Sequence, residues 1–270
     1  MRVFTHKYDS FTAGTIQKRD TVRLSVTCFF PDLSPAGHQN FHSKTAEAGY
    51  LQLHPNHMTD MLAIQQFRKS YHGQLALEIP ELQIPAGIHW IQGINGSGKT
   101  TFFRSIAGML PFDGSILLNG RHEISRDPVP YRLRVNYGEA EPNYPGFLSA
   151  WDLIQFVGKA KQAAPTQISD LIDAFGIGDF CRNPTGTYSS GMIKKTSLVM
   201  AFLGNPELIL LDEPLITIDK KAVEHVYQLV NQYHDQKGVG FLLSSHQDFQ
   251  LSELTVSNRY LVQDKKITLL

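Results

Sequence analysis

Apolar and polar residues fall into a regular pattern only from about residue 61 onward. From there, apolar runs of strand type alternate with stretches at helical spacing. Leu75-Ala76-Leu77 and Leu82-Gln83-Ile84 predict short strands, and Pro85-Ala86-Gly87 turns the chain into a third, Ile88-His89-Trp90-Ile91. Residues 101–107 predict a helix. Asp113-Gly114 turns into a strand at Ser115-Ile116-Leu117-Leu118, and Asn119-Gly120 marks another tight turn. Pro128, Pro130, Pro142 and Pro145 then punctuate a loop-rich stretch. Helices are expected at about 149–163, 167–176 and 190–204, with Leu198, Ala201 and Phe202 on one face of the last and Pro206 ending it. Leu208-Ile209-Leu210-Leu211 is an uninterrupted apolar run, as a strand buried on both faces requires. A helix near 220–236, a strand at 241–243 and closing strands at 260–262 and 267–269 complete the pattern. Strands alternating with helices predict an α/β fold with a mostly parallel core sheet.

Residues 1–57 are unlike the rest. Pro31, Pro35 and Pro55 are mixed with Gly, Ser and Thr and with scattered histidines (His6, His38, His42, His54, His57) that lack metal-ligand spacing. The segment reads as an irregular, poorly ordered N-terminal extension, with Met58 or Met61 as an alternative translation start before a domain over 58–270.

Composition narrows the classes. Formal net charge is zero, which argues against a broad basic field for nucleic acid or an anionic membrane. The two cysteines, Cys28 and Cys181, are far apart, as in a reducing compartment with neither a disulfide framework nor a zinc site. Runs such as 208–211 are far shorter than the roughly 20 apolar residues that span a bilayer. Arg19, Asp20 and Arg23 precede the apolar stretch at 24–30, a poor match to a secretory signal. The expectation is a cytoplasmic protein that docks on a membrane protein.

The chemistry is concentrated in two places. Gly93-Ile94-Asn95-Gly96-Ser97-Gly98-Lys99-Thr100 fits the phosphate-binding loop G-x-x-x-x-G-K-[ST] between a predicted strand and a helix that begins with Thr101. Its glycines let successive N–H groups converge on one anion, and the helix N-terminus adds a favourable dipole. Lys99 can reach the outer phosphates of a nucleotide, and Thr100 can ligate Mg²⁺. Asp212-Glu213 follows the buried strand, at the sheet edge where ligands of open α/β folds bind. Asp212 can hold Mg²⁺ opposite Thr100, and Glu213 can polarise a water for attack on the terminal phosphate.

Between these motifs lies Tyr188-Ser189-Ser190-Gly191-Met192. In this order, the three segments resemble the ATP-binding subunit of ABC transporters, over about residues 61–270. The middle one resembles that family's signature, usually Leu-Ser-Gly-Gly-Gln, with Tyr, Ser and Met replacing Leu, the first Gly and Gln. The resemblance implies a P-loop ATPase with a short antiparallel β portion and a helical subdomain at about 140–204. It implies ATP and Mg²⁺ as ligands, with Ser189, Ser190 and Gly191 contacting the ATP held by an opposite subunit. Ile216-Thr217-Ile218-Asp219 is similar to the D-loop at the dimer interface, and His246, after Ser244-Ser245, to the switch histidine. Tyr71 matches the aromatic residue that stacks on adenine, with Phe67 as the alternative. The Q-loop departs from the family: counting back from Tyr144-Pro145 puts Glu139, or else Glu141, where a Gln usually ligates Mg²⁺.

The resemblance therefore implies a homodimer or heterodimer of ATP-binding subunits, hydrolysing ATP to drive a separate membrane-spanning subunit, on the inner face of the cell membrane. Within the family, the segment around 212–219 is similar to small haem-exporter ATPase subunits. The alternative is a soluble ABC ATPase acting on nucleic acid or ribosomes. Such proteins usually fuse two cassettes or carry a long insertion, and this chain has neither.

Overall fold

The computed structural model describes residues 60–245 and 253–270. The extension expected over 1–57 and His246 lie outside the described residues.

Two long strands, β1 (Asp60–Tyr71) and β2 (Gln74–Pro85), open the fold as an antiparallel hairpin. Its two-residue turn uses His72 (φ 50°) and Gly73 (φ 79°), the left-handed pair that matches strand twist. The sequence pattern marked only fragments of β2 and missed β1 as a strand. Next come β3 (Ile88–Gln92), α1 (Lys99–Ile106), β4 (Asp113–Leu118) and β5 (His122–Glu123). Strands β2-β1-β4-β5 form one antiparallel sheet.

The stretch read as loop-rich contains two elements: α2 (Pro128–Arg134) and β6 (Val135–Gly138). The prolines misled because Pro128 and Pro130 sit in the first turn of α2, where a missing N–H costs no helical hydrogen bond. Helices α3 (Ala150–Ala160), α4 (Pro165–Phe175) and α5 (Ser190–Ala201) follow. Ser149, placed inside α3 by the pattern, is its N-cap and shares a capping box with Asp152. α5 ends three residues before the expected 204. Asn136 Nδ2 donates to the Ala201 and Leu203 carbonyls, and Gln167 bonds Phe202 O and both backbone groups of Gly204, so the helix end is satisfied without continuing.

β7 (Leu208–Asp212), α6 (Lys220–Lys237), β8 (Gly240–Ser245), β9 (Asn258–Gln263) and β10 (Lys266–Leu269) complete the chain. The second sheet runs β10-β9-β3-β8-β7-β6, parallel throughout except for the β9–β10 pair. Successive residues of β7 divide the core between two layers. Leu208 and Leu210 pack with Phe67, Phe102 and Phe103, while Ile209 and Leu211 pack with Leu198, Phe202 and Val230. All five β7 residues are buried, which holds its carboxyl end rigidly at the sheet's edge.

Candidate functional site

The segment 93–98 joins β3 to α1 at the carboxyl edge of the parallel sheet. Gly93 is required by space: a Cβ there would lie 2.5 Å from Ser97 Oγ and 2.7 Å from the Val262 carbonyl. Gly98 caps α1 with φ 113°, and Gly96 has φ 79°. Asn95 and Gly96 are exposed at the tip. Lys99 is buried, and its ammonium donates to Gly93 O (2.7 Å) and Ile94 O (3.2 Å), which holds the cation inside the curl. Ser97 Oγ is buried with no hydrogen-bond partner among the described residues, a polar group of the kind an anion completes. Thr101 follows in α1, and its Oγ1 lies 3.4 Å from the Tyr71 hydroxyl.

Asp212 closes β7 rather than following it. Thr100 Oγ1 donates to Asp212 Oδ2 at 2.7 Å across 112 residues of sequence. Tyr137 of β6 donates to the same oxygen at 3.2 Å, and Ser244 of β8 donates to Oδ1. Burial, helped by the Asp212 carboxylate, holds the Tyr137 phenol well above its ordinary range, so it stays a proton donor. The Ser244 hydroxyl also accepts the Glu213 N–H at 3.0 Å. Glu213 lies next to this cluster, largely buried, with φ 46°. A left-handed backbone at a Glu is unusual and turns the chain sharply off the strand.

Lys194 on α5 is 1% exposed. Its ammonium donates to three carbonyls: Glu139 (2.6 Å), Ala140 (3.2 Å) and Asp212 (2.9 Å). Burial pushes it down to about 8, opposed by the charges of Asp212, Glu213, Glu139 and Glu141. The Glu139 side chain meets Arg104 of α1 at 3.1 Å, whereas Glu141 is exposed. Burial raises the Tyr144 phenol to about 12.

Ser189 is the N-cap of α5, its hydroxyl accepting the Met192 N–H at 3.2 Å. Ser190 and Gly191 form the first turn, and Gly191 lies against the Thr217 carbonyl, 2.6 Å from where its Cβ would be. Asp219 caps α6 and pairs with Lys195 at 2.5 Å; that contact and the Ala222 N–H hold its carboxyl below the usual range. The signature-like and D-loop-like segments are thus packed on each other. Of the two aromatic candidates, Phe67 is wholly buried, stacked on Phe112 at 5.0 Å. Tyr71 is 42% exposed, with the Lys69 ammonium 4.9 Å from its ring centre.

The structure therefore brings Thr100, Asp212 and Glu213 together and adds three residues that sequence reading missed. Ser244 carried a signal: it lies in β8 beside Asp212 in the parallel register, but the strand was expected to stop at 243. Tyr137 was hidden in the proline-rich stretch. Lys194 had none, because a lysine on a helix ordinarily reads as solvated. The paired hydroxyl and carboxylate of Thr100 and Asp212 are hard oxygen donors of the type Mg²⁺ takes, so the residues present fit that ion.

Comparison with known proteins agrees with this geometry. Residues 77–216 match the family model described as ABC transporter. The lantibiotic transport ATP-binding protein SrtF of Streptococcus pyogenes is 28% identical, over 69% of this chain and 80% of that protein. The cytochrome c biogenesis ATP-binding export protein CcmA of Legionella pneumophila is 30% identical, over 72% of this chain and 96% of that protein. Among solved structures, an ATP-binding subunit of an ABC transporter has a TM-score of 0.68 at 23% identity, covering 78% of this chain and 90% of that one. A dimeric ATP-binding cassette bound to ADP and Pi has a TM-score of 0.65 at 17% identity, covering 77% and 96%. With the phosphate loop, the Asp212–Glu213 strand end and these relatives in agreement, the chain belongs to the ABC transporter family, as an ATP-hydrolysing subunit with the P-loop ATPase fold.

Proposed function

We propose that two ATP-binding subunits, identical or paired with a close relative, sandwich ATP head to tail and that hydrolysis drives a separate membrane-spanning partner. Each site would take residues 93–101, Asp212 and Glu213 from one subunit and Ser189–Gly191 from the other. The observation that carries this reading is the 2.7 Å contact between Thr100 and Asp212, which joins the phosphate loop to the acidic strand end. Among the described residues no helix is long and apolar enough to cross a membrane, so a place at the membrane's inner face would come through the partner. SrtF and CcmA are themselves named as transport and export ATP-binding proteins, which supports that role.

The residues divide the work. Loop amides, Lys99 and the Ser97 hydroxyl bind the phosphates. Thr100 and Asp212 would hold Mg²⁺, which neutralises charge on the outer phosphates when bound. Tyr137 and Ser244 orient the Asp212 carboxylate from both sides. Glu213 orients and polarises the attacking water. Tyr71 offers an exposed ring face for adenine, and Asp219 stands at the subunit interface. Glu139 is the proposed metal-side carboxylate of the loop after β6, and His246 the proposed contact to the terminal phosphate.

Glu213→Gln tests the assignment. It keeps ATP and Mg²⁺ binding but loses at least nine-tenths of turnover, and so accumulates an ATP-bound dimer on sizing chromatography. Wild-type turnover in that variant removes Glu213 from the chemistry.

A further inference from the structure

We propose that Lys194 is a positioning residue for hydrolysis: its ammonium pins the start of the loop after β6 to the carboxyl end of β7, and thereby sets where Glu213 stands. The ladder between these strands ends at the pair Gly138–Leu211. One residue further the β6–β7 pairing has ended, while Asp212 stays paired with Ser244 of β8. Lys194 enters at that fork. The three N–H groups of its ammonium meet three carbonyls, two from residues 139 and 140 and one from residue 212. It comes from α5, three residues after Gly191, so one buried cation ties together the signature-like turn, the loop at 139 and the acidic strand end.

The chemistry of the contact argues for position over bulk stability. A buried ammonium whose hydrogen bonds all go to neutral carbonyls gives up its hydration, and the charges of Asp212, Glu213, Glu139 and Glu141 offset only part of that loss, so an apolar side chain of similar length would fill the same volume at lower desolvation cost. What an apolar side chain cannot do is fix three carbonyls in direction. The Asp212 carbonyl belongs to the peptide that leads into Glu213, whose left-handed backbone makes the carboxylate's direction sensitive to rotation at that peptide.

The inference rests on reading Glu213 as the group that orients water, and the Glu213→Gln variant is measured alongside so that the two fail separately. Lys194→Met and Lys194→Gln are compared with wild type for the dissociation constant of a fluorescent ATP analogue, steady-state kcat and thermal midpoint. Lys194→Met lowers kcat at least tenfold, with nucleotide affinity within threefold of wild type. Lys194→Gln, which keeps two N–H donors, falls between the two. Unchanged kcat in Lys194→Met overturns the proposal. So does a parallel loss of affinity, kcat and thermal midpoint, or failure of both variants to fold, since each marks a residue that only supports the core. If Glu213→Gln keeps its turnover while Lys194→Met loses it, the reading of Glu213 fails and Lys194 acts through another group.

Discussion

Gly191→Ala is the smallest change that separates nucleotide binding from turnover. The added methyl would lie 2.6 Å from the Thr217 carbonyl oxygen, where ordinary contact begins at 3.4 Å. About 0.8 Å must therefore open between the first turn of α5 and the segment leading into α6. The obstacle is backbone, held by a left-handed residue (Thr217, φ 64°) two positions before the Asp219 cap, so it cannot swing aside as a side chain would. Overpacking of this kind costs about 1–3 kcal/mol, and in a chain of this size each kcal/mol lowers the thermal midpoint by roughly 2–4 °C. A misplacement near 1 Å in a group that positions reactants costs up to about 10²-fold in rate. The phosphate loop opens a different helix, so the ATP affinity of a single subunit should stay within about threefold. Phosphate release, binding of a fluorescent ATP analogue and thermal unfolding are measured on the same preparation. A Gly191→Ala protein with wild-type kcat would refute both the contact and the role assigned to that turn.

Two further predictions concern charge. Lys161 donates to the Arg132 and Val135 carbonyls, and burial pushes it down from 10.5 to about 8. Between these values the unfolded chain holds a proton that the folded protein has released, so this group makes stability rise with pH across that window, by at most about 1.4 kcal/mol per unit. Urea unfolding at pH 8 and 9.5 should show a larger gain in wild type than in Lys161→Met, which keeps the like-signed contribution of Lys194; equal slopes would count against it. For the loop after β6, Glu139→Gln should raise the Mg²⁺ concentration for half-maximal ATPase while Glu141→Gln leaves it unchanged. A shift confined to Glu141→Gln moves the ligand two residues along.

The parts of the fold that were legible in the sequence were those with a local cause. β7 declared itself because a strand buried on both faces must be apolar at every position, and the phosphate loop because its glycines have no substitute in that curl. α2 and β6 stayed hidden because prolines in a helix's first turn look, in sequence, like loop prolines. The acidic cluster was half legible: Asp212 and Glu213 stand next to a recognisable strand, while Tyr137 and Ser244 reach Asp212 only through strand register, a long-range property. Lys194 was invisible for the same reason, since its three partners lie 55, 54 and 18 residues away.

The backbone at residue 213 sets two demands against each other. A left-handed conformation suits Gly, Asn or Asp, and holding a longer side chain there costs about 1–2 kcal/mol. The Ser244 hydroxyl, by taking the Glu213 N–H, offsets part of that cost. Selection for folding alone would thus favour Gly at this position, and selection for thermostability in the laboratory would find it quickly. Variants chosen for a higher melting temperature should accordingly be screened for turnover at residue 213 first, because here a more stable protein and a working one need different residues.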